Sequence, residues 1–323
     1  MPGDLVGSGS ALACTRTVPG GERRGWLALR ALRCRLPCRG GSRVANQDPA
    51  VEGAQRILTR LDEELLTNFK ASLPLYRHVY EHGTKRLLGT GSLLAVADEM
   101  FLVSAAHVLR EIQRDAGAEL FIGHYKVAKL VGASGQVSSS DGSADVAAVR
   151  LNTALHPILA HAKILRVSDL ASNPDPEPQM LCVAGFPLER NPGEPTTPNA
   201  VIYTSHAPVD VPVALKDYDS RINGLFAIDH NEPIASDSEQ PWLPDSFGGM
   251  SGSPVWAIPL DIDPSQPFAI FAKVVGVQTG VYPKDKGQQL AKYTRIKIVL
   301  ALIAQLCPDL LPALALSLPT PRR

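Results

Sequence analysis

Ser92-Leu93-Leu94-Ala95-Val96-Ala97-Asp98-Glu99-Met100-Phe101-Leu102-Val103 is the stretch on which the fold turns. It holds two short apolar runs, 92–96 and 100–103, parted by a few residues of turn character. Such short runs suit strands better than helices, which need ten or more residues. The texture recurs at Val146-Ala147-Ala148-Val149, Met180-Leu181-Cys182-Val183, Ala200-Val201-Ile202-Tyr203 and Val274-Val275-Gly276-Val277. Many short strands at close spacing, divided by turn residues, predict an all-β sandwich or barrel.

Outward from that body the patterns change. Residues 1–50 are rich in Gly, Arg and Ser without periodicity, so a disordered basic leader is expected. Between Arg16 and Arg43 it carries eight arginines against one acidic residue, Glu22. Over 51–76 a helical segment is expected: Ile57, Leu58, Leu61, Leu65 and Phe69 share one face, and Pro74 limits the helix. The Pro-rich stretch Asn173-Pro174-Asp175-Pro176-Glu177-Pro178 reads as a link between two β-subdomains. Residues 296–307 read as a C-terminal helix closed by Pro308, followed by a tail over 308–323.

The 323 residues are 45% apolar and 20% charged, ordinary for a globular protein. Net charge is zero, so the total gives no ground for nucleic-acid or membrane binding. No apolar run reaches the roughly 18–20 residues of a membrane helix. Of five cysteines, three lie in the leader (Cys14, Cys34, Cys38), and only Cys182 and Cys307 remain in the body. That is too few for a disulfide-stapled secreted domain, so a reducing compartment, the cytoplasm, is expected. Cys34 and Cys38 lack a second ligand pair at zinc-site spacing, so no metal is expected.

Three segments carry chemistry. In Phe101-Leu102-Val103-Ser104-Ala105-Ala106-His107-Val108-Leu109 an apolar strand ends in small residues, which leave the His107 imidazole open to a cleft. In Ser143-Ala144-Asp145-Val146-Ala147-Ala148-Val149-Arg150-Leu151 a carboxylate enters an apolar run and needs a partner, for which a histidine N–H is suited. In Ser246-Phe247-Gly248-Gly249-Met250-Ser251-Gly252-Ser253-Pro254-Val255-Trp256 glycines flank a serine. Glycine permits the backbone angles that aim successive N–H groups, here of Gly249 and Ser251, at one oxyanion. Taken singly, each segment also has a bland reading: a structural histidine, a turn aspartate, a Gly/Ser-rich hairpin loop.

Taken together, the three segments resemble the histidine, aspartate and serine motifs of the chymotrypsin/trypsin-like peptidases, and intracellular microbial members in particular. The order His, Asp, Ser is that of chymotrypsin. The resemblance covers roughly residues 80–307. It implies two perpendicular six-stranded antiparallel β-barrels, over about 77–172 and 179–295, within a peptidase domain spanning 77–307. It implies a serine endopeptidase with His107, Asp145 and Ser251 as catalytic triad, an oxyanion hole from Gly249 and Ser251, a polypeptide substrate and no cofactor. Val275-Gly276-Val277-Gln278-Thr279-Gly280 falls where the family's substrate-pairing strand lies, which makes Gln278, Thr279 and Gly280 substrate-binding candidates. Tyr293-Thr294-Arg295-Ile296 resembles the run before the terminal helix of trypsins.

Asp245, six residues before Ser251, has the spacing of the trypsin pocket aspartate, which implies cleavage after Arg or Lys; the alternative is a solvated turn residue. Met250 departs from the aspartate that animal trypsins carry before the serine, and Ser253 replaces the family's second glycine. A different use of the same fold, as a catalytically silent binding or scaffold module, is the main competing expectation. An α/β-hydrolase is disfavoured because its nucleophile elbow needs glycine at position 253.

Overall fold

A computed structural model describes residues 70–79, 84–113, 119–122, 125–127, 134–137, 142–152, 159, 162–171, 179–191, 201–206, 215–228, 247–259, 272–282 and 289–315. The leader, the expected helical segment as far as residue 69, the Pro-rich link and Asp245 lie outside them. The chain is mostly β, with two sheets and a C-terminal helix. The first sheet holds β1 (Leu73–Val79), β2 (Thr84–Val96), β3 (Glu99–Ala105), β4 (Glu119–Ile122), β5 (Tyr125–Val127), β6 (Ser134–Val137), β7 (Val146–Arg150) and β8 (Leu165–Arg166). Their order is β5-β4-β1-β2-β3-β7-β6, with β8 paired to β2. The second sheet holds β9 (Gln179–Gly185), β10 (Val201–His206), β11 (Asn223–Ile228), β12 (Pro254–Pro259), β13 (Lys273–Val281) and β14 (Gln289–Arg295). Its order is β10-β9-β12-β13-β14-β11.

Two expectations change. The first sheet has eight strands rather than six, and among the described residues no strand pairing closes either sheet into a barrel. One of the two extra strands, β8, has a local cause. β2 is thirteen residues long, and its pairing with β1 ends at Leu73↔Gly91. The edge beyond Gly91 is therefore open, and β8 takes it in parallel at Leu94↔Leu165 and Ala95↔Arg166. β1 also begins at Leu73, inside the segment expected to be helical and ahead of the domain boundary expected at 77.

The runs that read as continuously apolar do so because both faces of their strands are covered. Side chains alternate across a strand. On β3, Phe101 and Val103 face a core shared with Trp256 and Val274 of the second sheet, while Leu102 faces Leu93, Val149 and Leu109. β7 divides the same way, Val146 and Ala148 against Ala147 and Val149. A further core fills the second sheet's other face with Val183, Phe226, Val255 and Tyr293, joined by Phe247 and Met250.

Helix α1 (Ala106–Gln113) follows β3 directly. Helix α2 (Ile296–Leu306) buries Ile296, Val299, Leu300 and Ile303, one stripe at three- and four-residue spacing, in the core both sheets share. Full burial of each such side chain contributes about 1.5–3 kcal/mol. The Cys307 N–H closes on the Ile303 carbonyl at 2.8 Å, and Pro308 ends the helix. A short helix α3 (Leu311–Ala315) follows. The two halves also join by backbone: Leu170 bridges Val274 in parallel, and the Ala171 N–H donates to the Val274 carbonyl at 2.9 Å.

Candidate active site

His107 stands in the first turn of α1, where β3 gives way to helix. Ala105 and Ala106 are fully buried, so the chain turns tightly against the core and leaves the imidazole 44% exposed. Asp145 precedes β7, whose first residue, Val146, pairs with Ala105. That register brings the aspartate to the start of α1. Its carbonyl accepts the Ala106 N–H at 3.2 Å, and its Oδ1 accepts the His107 N–H at 3.0 Å. Oδ2 is in close contact with His107 Nδ1. An acceptor at Nδ1 places the ring proton there and leaves Nε2 of the neutral imidazole as a base.

The carboxylate is 14% exposed. Desolvation pushes its pKa up, but the ring hydrogen bond, the attraction of His107, the backbone N–H and the Arg110 cation outweigh that and hold it below the ordinary range. Arg110, one turn along α1, reaches Oδ1 at 3.4 Å.

The serine is presented by a turn over 248–252 that two left-handed glycines make possible. Gly249 has φ +87, and a Cβ there would meet the Phe186 carbonyl at 2.4 Å. Gly252 has φ +95, and a Cβ there would meet the Thr90 carbonyl at 1.9 Å and Ser104 Oγ at 2.2 Å. The turn therefore lies flat against the first sheet. Thr90 clamps it: its N–H donates to the Ser251 carbonyl at 2.8 Å, and its hydroxyl donates to the Gly249 carbonyl at 2.8 Å while accepting the Phe186 N–H at 3.2 Å. Ser104 Oγ donates to the Thr90 carbonyl at 2.7 Å. From the second sheet, Gly252 N–H donates to the Gln278 carbonyl and Gln278 N–H to the Ser253 carbonyl, both at 2.8 Å. Among the described residues, the N–H groups of Gly249 and Ser251 donate to no protein acceptor.

Gly89 relates the serine to the histidine. A Cβ on it would lie 2.7 Å from the side chain of Val108, the residue after His107, and 2.9 Å from the Ser251 carbonyl. The backbone of Ser251 thus sits at the start of α1. Among the described residues no hydrogen bond joins the Ser251 hydroxyl to His107. Such catalytic bonds are often long before substrate binds.

The substrate-strand candidates lie on β13 beside this turn. Both backbone groups of Gln278 are taken up by the serine turn. The ladder to β14 shifts between Gln278 and Gly280, so Thr279 sits in an irregularity. The departures at 250 and 253 have packing causes. Met250 is a core residue, and Ser253 Oγ donates to the Met250 carbonyl at 2.6 Å in space left open by Gly185. Thr90 and Ser104 are the clamp residues that sequence reasoning missed. Gly89-Thr90-Gly91 was the available signal, since glycines inside a strand mark a close backbone approach.

Among the described residues no cluster of His, Cys, Asp or Glu could hold a metal ion, and no helix is long and apolar enough to cross a membrane. Cys182 and Cys307 are buried free thiols; burial raises the pKa of Cys182 to about 12.

The fold and site thus define a two-sheet β protein with a His–Asp pair at the start of a helix beside a glycine-flanked serine turn. No family model matches the chain, and no curated protein does. Solved structures share a distant likeness. One is a thermostable serine protease, AL20, from an extremophilic microorganism, at 12% identity over 74% of this chain and 98% of that one, TM-score 0.41. Another comes from a study of how aromatic interactions drive the coupled folding and binding of the intrinsically disordered Sesbania mosaic virus VPg protein, at 16% identity over 70% of this chain and 87% of that one, TM-score 0.36. At these levels neither likeness bears on activity.

Proposed function

We propose that the chain is a trypsin-like serine endopeptidase acting on polypeptides, with Ser251 as nucleophile, His107 as general base and Asp145 as the group that orients the imidazole. The observation that carries this reading is the His107 ring held through Nδ1 on a largely buried Asp145 carboxylate, beside the turn that bears Ser251. Ser251 Oγ attacks the peptide carbonyl as His107 Nε2 takes its proton. The same nitrogen returns the proton to the leaving amine, and Asp145 stabilises the transient imidazolium. The N–H groups of Gly249 and Ser251 receive the oxyanion; loss of one such donor costs about 2.7–4 kcal/mol of barrier stabilisation. Water then hydrolyses the acyl-enzyme by the same proton path. No step calls for a metal or organic cofactor.

Within this reading Gln278, Thr279 and Gly280 line the bound peptide, and Asp245 selects a basic side chain. On the same reading, the small number of cysteines in the body fits a reducing compartment, the cytoplasm. A fluorophosphonate should label the protein at Ser251, and Ser251→Ala should take no label. Undiminished labelling of that variant overturns the assignment. Labelling without turnover of a casein-type substrate favours the silent-module reading, and a peptide library without preference for Arg or Lys removes the role of Asp245.

A further inference from the structure

The turn that delivers Asp145 is gripped from the second sheet. Gly142 is left-handed at φ +75, and Ser143 and Ala144 after it are buried. Asn223, fully buried at the start of β11, donates from Nδ2 to the Ser143 carbonyl at 2.6 Å, and its Oδ1 accepts the Asp219 N–H at 3.1 Å. Lys292 on β14 is only 7% exposed. It pairs with Gly280, and its stem passes 3.6 Å from where a Cβ at that glycine would sit. Its ammonium then donates to the carbonyls of Gly142 at 3.2 Å and Asp217 at 2.8 Å. Two consecutive carbonyls just ahead of Asp145 thus receive side-chain donors from residues 80 and 150 positions away.

Burying an ammonium group carries a large desolvation penalty, and an apolar side chain of similar volume is often the more stabilising choice. What the lysine adds is placement. One of its hydrogen bonds, together with that of the Asn223 amide, goes to the turn whose position decides where the Asp145 carboxylate meets the His107 ring, and another ties that turn to the Asp217 carbonyl. Gly280, a substrate-binding candidate from the sequence, is the cross-strand partner of Lys292.

We propose that Asn223 and Lys292 are positioning residues for the reaction, holding the Gly142–Ser143 carbonyls so that Asp145 meets His107 in register. The inference rests on the serine-peptidase reading. Neither residue touches a reacting atom; both act through Asp145.

The test uses the full chain with Asn223→Ala, Lys292→Met and Lys292→Arg. The first two should slow acylation by a fluorophosphonate about 10- to 100-fold, the scale expected when a catalytic group moves by about 1 Å. Hydrolysis of a peptide substrate should lose kcat with KM nearly unchanged. The low-field proton resonance of the His107 Nδ1–H···Asp145 bond should shift or broaden. Lys292→Arg, which keeps donors in place, should restore rate and resonance. Folded Lys292→Met protein that acylates at the wild-type rate with an unmoved resonance overturns the proposal. If Asn223→Ala does not fold, the Met and Arg variants at 292 decide the matter alone. If the wild type is never acylated, the peptidase reading is what fails, while the resonance still reports whether the two residues set the His107–Asp145 contact.

Discussion

The His107–Asp145 pair and the Ser251 turn are held by opposite means. The pair is held by charge and polar side chains: one carboxylate takes the backbone N–H and the ring of the same histidine, with Arg110 nearby. The turn is held by backbone shape. Two left-handed glycines shape it, Gly252 lying against the first sheet and Gly249 against Phe186, and uncharged groups of Thr90, Ser104 and Gln278 fix it there. Such a pair can be preformed within one sheet, because 38 residues of chain bring its members to the ends of the adjoining strands β3 and β7. A serine turn on a different sheet is not placed by a local bond of that kind; its position depends on how closely two backbones approach.

That contrast can be broken from either side. The largest effect is expected from Asp145→Asn. It should slow fluorophosphonate acylation about 10,000-fold by favouring the wrong ring tautomer, a barrier change of about 5.4 kcal/mol. Circular dichroism should show the fold retained, since the serine turn does not rest on the carboxylate. Gly252→Ala is the opposite experiment. A Cβ at 1.9 Å from the Thr90 carbonyl, on a left-handed residue, should cost about 2–5 kcal/mol in denaturant unfolding and remove labelling as well. Unchanged stability would show that the turn has room to relax.

Thr90→Val sharpens the comparison with less force. It keeps the shape but leaves the Gly249 carbonyl and the Phe186 N–H without their hydroxyl partner, which should cost about 1–3 kcal/mol. The smallest effect concerns pH. Asp145 has a lowered pKa in the folded chain, so its contribution to stability is present above the unfolded value of about 3.9 and is lost as pH falls through the folded one. Unfolding stability measured down that range should fall more steeply for the wild type than for Asp145→Asn. Parallel curves would mean that the carboxylate carries no net stabilisation.

Much of this was legible in the chain because it is written in short range. The apolar runs 100–103 and 146–149 announce strands, and small residues beside His107 announce a tight exit. Glycines around Ser251 announce a left-handed turn, and two of the three described, Gly249 and Gly252, have positive φ. What stayed hidden depends on partners far away. The hydroxyl of Thr90 meets a carbonyl 159 residues on, and nothing near Thr90 says so. Asn223 and Lys292 look like ordinary strand residues until β11 and β14 bring them to Ser143 and Gly142. β8, one of the two strands beyond six, followed from the unusual length of β2, whose free edge cannot be inferred from an apolar pattern that runs straight through it.

The late position of β13, β14 and α2 has a consequence for biogenesis. A ribosome completes Ser251 before it makes the Gln278 carbonyl that receives Gly252, the β14 strand that grips the Asp145 turn, or the helix that seals the core common to both sheets. A nascent polypeptide stopped ahead of Lys273 carries His107, Asp145 and Ser251 but lacks the strands and helix that support the segments bearing them. Translation order therefore leaves the Ser251 turn without these supports until the last strands and helix have emerged.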